Sequence, residues 1–86
     1  MLNKVLIKLI VPEIDTNFDI FIPVNEVVWK IEKLILKSIS DLTNTQFDIN
    51  KEYILINKDT SKIYNNNEII INTDIRNGSE IIFISK

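Results

Sequence analysis

The sequence predicts an α+β domain in which strands on either side of one amphipathic helix close around it, a β-grasp outline. Three observations carry this. Two Ile-rich runs come first, one stretch with helical periodicity follows, and shorter apolar runs bounded by turn residues complete the chain. The last of these runs, Ile81-Ile82-Phe83-Ile84, is followed only by Ser85 and Lys86. Eighty-six residues fit one domain over 1–86, since chains of this size bury a little over about 60% of their unfolded surface in a single core.

Composition removes several chemistries. The chain has no Cys and no His, so it lacks a disulfide framework, a thiolate nucleophile and the commonest general base and metal ligand. The net charge of -2 arises from interspersed Lys and Asp/Glu, leaving no basic stripe for a phosphate backbone; nucleic acid is not an expected partner. The opening run imitates the short apolar core of a signal peptide. Lys8 interrupts it, however, Pro12-Glu13 closes it, and no small-residue cleavage site follows. No stretch approaches the roughly 18 apolar residues that span a bilayer, so the expectation is a cytoplasmic protein without direct membrane insertion.

Taken in order, residues 5–11 and 18–22 are β-branched and aliphatic runs separated by the polar turn Glu13-Ile14-Asp15-Thr16-Asn17, and they read as a hairpin. Pro23 cannot donate to a ladder and ends the second strand. Asn25 offers a side-chain oxygen to unpaired helical N–H groups, which places the helix start near Glu26. At 100° per residue Val28, Ile31, Ile35, Ile39 and Leu42 share one sector, widened by Val27 and Leu34, while Lys30, Lys33 and Lys37 lie opposite. Residues 40–50 read as a connection. Residues 53–56 form a third strand, residues 57–61 a turn, and Lys62-Ile63-Tyr64 a short fourth strand before three asparagines. Thr73-Asp74-Ile75 suits a helical turn, and Asn77-Gly78 supplies a pair tolerant of positive φ before the final strand.

Three segments bear a family likeness: Phe18-Asp19-Ile20-Phe21-Ile22-Pro23, Ile31-Glu32-Lys33-Leu34-Ile35, and the run from Thr73-Asp74-Ile75 through Gly78-Ser79-Glu80-Ile81-Ile82. Over residues 5–84 the chain resembles the YukD/EsaB-type small ubiquitin-like proteins associated with type VII secretion in Gram-positive bacteria. The resemblance implies a mixed five-stranded sheet grasping one main helix, without conjugation or catalysis, acting through contacts with other components. It supplies no catalytic residues, cofactor or metal ligands.

Other constellations weigh less. Asp15, Asn17, Asp19 and Glu26 imitate the oxygen ligands of a calcium loop, but Ile20 stands where the sharp bend needs Gly. Glu13, Asp15, Asp19 and Asp59 lack a second group placed to tune them for acid–base work and read as solvated acids. Surfaces are more informative. A single helix covers one face of a sheet, yet the first strand carries Leu6 and Ile10 on the set opposite Val5, Ile7, Leu9 and Val11, and Phe21 opposes its neighbours in the second. Leu6, Ile10 and Phe21, with one set from the last strand, are candidates for an exposed protein-binding patch, against cover by loops. Trp29 and Leu36 project off the helix's core sector beside Glu32; either Phe47 and Ile49 cover them or they form a partner site with an aromatic anchor.

The expected function is a non-catalytic, non-conjugated ubiquitin-like adaptor or regulator. Its expected partner is a protein, with a membrane-anchored secretion component as one candidate and no cofactor. Two alternatives stand beside it. A self-associating scaffold would pair two copies through the apolar sheet face as a homodimer. A sulfur carrier or protein modifier would need a Gly-Gly tail that this sequence does not carry.

Overall fold

In the computed structural model, residues 3–44, 47–48 and 50–86 are described. They form a β-grasp: a mixed sheet with one helix on one face. Strand β1 (Lys4–Val11) pairs antiparallel with β2 (Thr16–Pro23) and parallel with β4 (Glu80–Ser85), and β3 (Tyr53–Asn57) completes the order β2-β1-β4-β3. The helix α1 spans Val28–Thr43.

Alternation decides which residues meet the helix. Ile7, Leu9 and Val11 of β1, Ile22 of β2, Leu55 of β3 and Ile81 and Phe83 of β4 are all buried, facing Val28, Ile31, Ile35 and Ile39 of α1. Each side chain removed from water in this way contributes about 1.5–3 kcal/mol, well above the few tenths by which β-branched residues disfavour a helix. Packing therefore holds Ile31, Ile35 and Ile39 helical.

The sheet has four strands among the described residues, not five. The expected fourth strand, Lys62-Ile63-Tyr64, reduces to one bridge between Ile63 and Ile56, bracketed by Asn57 N–H donating to Lys62 O and Tyr64 N–H donating to Leu55 O. The chain leaves that ladder at the asparagines, where Glu68 N–H and Oε1 close a turn on Asn65.

The helix begins two residues later than expected, and Asn25 does not cap it. Val27 is the cap residue without a side-chain bond; instead Val28 N–H donates to Glu68 O and Trp29 N–H to Asn66 O. A crossing segment thus satisfies the orphan donors that a cap side chain would otherwise serve. The helix then runs to Thr43, past the expected loop boundary, and Asn44 closes it in the left-handed region. Leu42 is 68% exposed because no helical residue beyond Ile39 joins the core and the last turn overhangs it, and Leu34 is exposed because it lies about 100° round the helix from the centre of the buried stripe. Glu32, by contrast, is buried.

The single helical turn before β4 lies at Ile70–Asn72 rather than at 73–75. Buried Ile70 anchors it, its N–H bonded to Glu26 O and that of Ile71 to Val24 O. Thr73 then takes a capping role, its hydroxyl donating to Ile70 O and accepting from Ile75 N–H. Gly78 has φ +88, and its N–H donates to Leu6 O while Asn77 Oδ1 accepts from Leu6 N–H at 2.8 Å. This turn feeds the chain into parallel register with β1.

Candidate functional site

The register defines the open face of the sheet. Leu6 sits opposite Phe21, which is 62% exposed, and Ile10 lies beside Ile82. Ile82 in turn pairs with Ile56, and Ile56 with Ile63, so Ile10, Ile82, Ile56 and Ile63 form one row across the sheet, flanked by the pair Ile84 and Ile54. At about 4.8 Å per strand the row is about 14 Å long. Every member is exposed or half-buried.

The structure therefore places Leu6, Ile10 and Phe21 on the same face with the Ile82/Ile84 set, yet it does not join them into one patch. Asp19, Lys8 and Glu80 align as a charged row between the Leu6–Phe21 pair and the isoleucines, and Lys58 adds an ion pair to Glu80 at 3.9 Å. Period-two alternation shows which residues share a face. Only the register of β1 on β4 shows which of them touch.

The helix flank holds a second site. Trp29 is 40% exposed, Leu36 is half-buried against the core, and between them and the segment entering β3 lies a groove of about 200 Å³. Glu32, Lys33, Lys51, Glu52, Tyr53 and Asn66 complete its lining. Phe47 stacks edge-on against Tyr53, with ring centroids 6.5 Å apart, and Tyr53 lies flat on Phe83 at 4.9 Å. Phe47 thus extends the aromatic wall on the β3 side while Trp29 stays open; Ile49, the other expected cover, lies outside the described residues. Lys30 and Lys33 hold their ammonium groups 5.6 and 5.8 Å from the Trp29 ring centroid, within cation–π range.

Glu32 is the residue that sequence reasoning missed. The residue is 9% exposed, and Oε2 is shut off from solvent with no hydrogen-bond partner among the described residues. Burial pushes its carboxyl up to about 7, with the positive field of Lys86 opposing the shift. The sequence signal was present but quiet. Glu32 sits about 40° from Val28 on the helical wheel, nearer the core centre than Leu34.

A buried polar cluster supports the far end of β3. Asn57 Oδ1 accepts from the N–H groups of Asp59 and Thr60, Asn57 Nδ2 donates to the Tyr64 hydroxyl at 3.1 Å, and that hydroxyl donates to Asp74. Burial and the Asp74 hydrogen bond push the Tyr64 phenol up to about 12, so it stays a donor throughout the physiological range. Among the described residues no group of acidic side chains is arranged to hold a metal ion, and no helix is long and apolar enough to cross a membrane.

Neither a protein-family model nor a curated protein sequence matches the chain. Its fold does match solved structures, and the fold is ubiquitin-like. A chain of the MycP5-free ESX-5 inner membrane complex superposes with a TM-score of 0.71 at 11% identity over 99% of this chain, which spans 21% of that longer one. The ubiquitin-like domain of EccD5 from Mycobacterium xenopi gives 0.70 at 8% identity, covering 96% of this chain and 94% of that one. The ubiquitin-like domain of Plasmodium falciparum Dsk2 gives 0.70 at 13%, covering 96% and 99%. At these identities the likeness is one of fold, shared by domains from unrelated settings.

Proposed function

We propose that this protein is a non-catalytic, non-conjugated ubiquitin-like adaptor of the YukD/EsaB type, working in the cytoplasm and binding a protein component of a type VII secretion system. The observation that carries the reading is the isoleucine row on the open sheet face, Ile10-Ile82-Ile56-Ile63, with the Leu6–Phe21 pair as a second contact beyond the charged row. An apolar surface of this breadth rimmed by charge fits a protein partner rather than a small substrate. Two further facts support it. Domains of this fold occur in the ESX-5 inner membrane complex and in EccD5, and the chain has neither the His nor the Cys that most enzyme active sites employ.

Affinity capture from native lysate, detergent-solubilised membranes included, tests the proposal when the wild type is compared with a folded Phe21→Ser/Ile63→Ser variant. Recovery of a membrane-anchored secretion component by the wild type and its loss in the variant is the expected result. Recovery of the same proteins by both shows that the sheet face is not the contact surface. Capture of only a second copy of the chain, with a two-fold dimer in sedimentation, replaces the adaptor by a self-associating scaffold.

A further inference from the structure

We infer that the groove between α1 and β3 receives a basic side chain, arginine above all, from the protein partner, with Glu32 as its counter-ion. This deepens the adaptor reading and rests on it. Among the described residues no group hydrogen-bonds the buried Oε2 of Glu32. Its helical neighbours three and four residues away are Val28, Trp29, Ile35 and Leu36, none of which carries a charge or a donor that reaches a carboxylate in this geometry. Lys33, adjacent in sequence, points its ammonium over the Trp29 ring, and Lys86 is paired with Glu52 at 3.6 Å. Oε2 is left without a partner among the described residues, in a residue that is 9% exposed.

The surroundings of the carboxylate match the rest of a long basic side chain. Trp29 and Leu36 offer an apolar wall for its methylene stem, and the indole face also attracts cations, as the two lysines held near it show. Tyr53 closes the opposite side. The groove, at about 200 Å³, is well above the about 10–15 Å³ that one water molecule needs on the same measure. Lysines 33 and 51 on the rim repel a cation at the mouth, while Glu52 beside them carries the opposite charge, so the attraction for a basic side chain comes from Glu32 at depth. A planar guanidinium, weakly hydrated and bidentate, loses less on entering such a site than an ammonium does.

N-acetyl-arginine methylamide tests this at pH 8 by amide-correlation NMR, with the citrulline analogue as the uncharged control. The chain has one tryptophan, so the Trp29 indole N–H gives a single reporter inside the groove. A saturable shift of that signal and of the Leu36 and Tyr53 amides is expected with the arginine compound. Binding should be about tenfold weaker or more with citrulline, and in Glu32→Gln the arginine compound should fall to the citrulline level. Equal shifts from both compounds, persistence of the arginine response in Glu32→Gln, or no saturable shift overturns the inference. If Glu32→Gln does not fold, the two compounds on the wild type still decide. The outcome is separable from that of the adaptor reading, because lysate capture can succeed through the sheet face with an empty groove and can fail while the groove binds arginine.

Discussion

Replacing Glu32 by Gln should make the protein more stable at neutral and alkaline pH than the wild type, and hardly so in acid. The carboxyl is raised from 4.5 to about 7 in the folded chain, so the folded state holds its proton more tightly than the unfolded state does. Stability is then fully present below about 4.5 and is lost as pH rises toward 7, since over that interval the native protein binds more protons. At about 1.36 kcal/mol per pK unit the loss is about 3 kcal/mol once the group has ionised, and about 1 kcal/mol is already lost at pH 5. The stability gap between Gln and wild type should therefore widen by about 2.5 kcal/mol between pH 5 and pH 8. For a domain held by about 5–15 kcal/mol this is a large share.

Urea denaturation of both proteins at pH 5 and pH 8, followed by the Trp29 fluorescence, measures the gap. With a slope of about 1 kcal/mol/M the midpoints should separate by about 2.5 M more at pH 8 than at pH 5. Comparing the variants at each pH cancels every other titrating group and any constant effect of the new amide. A gap that is the same at both pH values, or that narrows toward pH 8, refutes the claim that Glu32 is buried without a partner.

Three further outcomes follow from the geometry. Trp29→Ala should cost less than about 2 kcal/mol by circular-dichroism melts, short of the about 3–5 kcal/mol for a fully buried ring, because two fifths of the side chain already meets water. Tyr64→Phe removes the hydroxyl that joins Asn57 to Asp74 and leaves the buried Asn57 amide without its acceptor, while exposed Asp74 turns to water; a loss of about 1–2 kcal/mol in urea denaturation is expected, independent of pH between 6 and 9. Gly78→Ala meets no neighbour within 4 Å, so its expected cost of about 1 kcal/mol in the same assay is purely that of a Cβ at φ +88.

Much of the fold was legible because its elements are stated by period. Four expected strands appear within two residues of their observed bounds, and the buried helical positions Val28, Ile31, Ile35 and Ile39 lie in the expected sector. What escaped were features that the period of a single segment does not state. Asn25 has the right chemistry for a cap, yet carbonyls of residues 66 and 68 reach the helix N–H groups instead. Leu42 has the right angle but sits beyond the last layer of the core. Ile63 has a strand's composition, though the turn at Asn65 leaves it room for one bridge. The cap was overridden by a contact across the fold, Leu42 by the end of the core, and Ile63 by a turn beside it.

The two candidate surfaces differ in what they imply. An open apolar sheet face follows from the layering itself: one helix can cover one side, and in an Ile-rich chain some isoleucines fall on the other without any function. The row across β1, β4 and β3 gains weight only from its contiguity, which no reading of separate strands could establish. Glu32 is different in kind. Nothing about packing α1 on the sheet requires a carboxylate there; an isosteric apolar or amide side chain would serve the core better above pH 7. A carboxylate buried with an unpartnered oxygen is the kind of group that functional sites hold and packing does not call for. The helix flank is therefore the sharper functional signal, even though the sheet face is the larger surface.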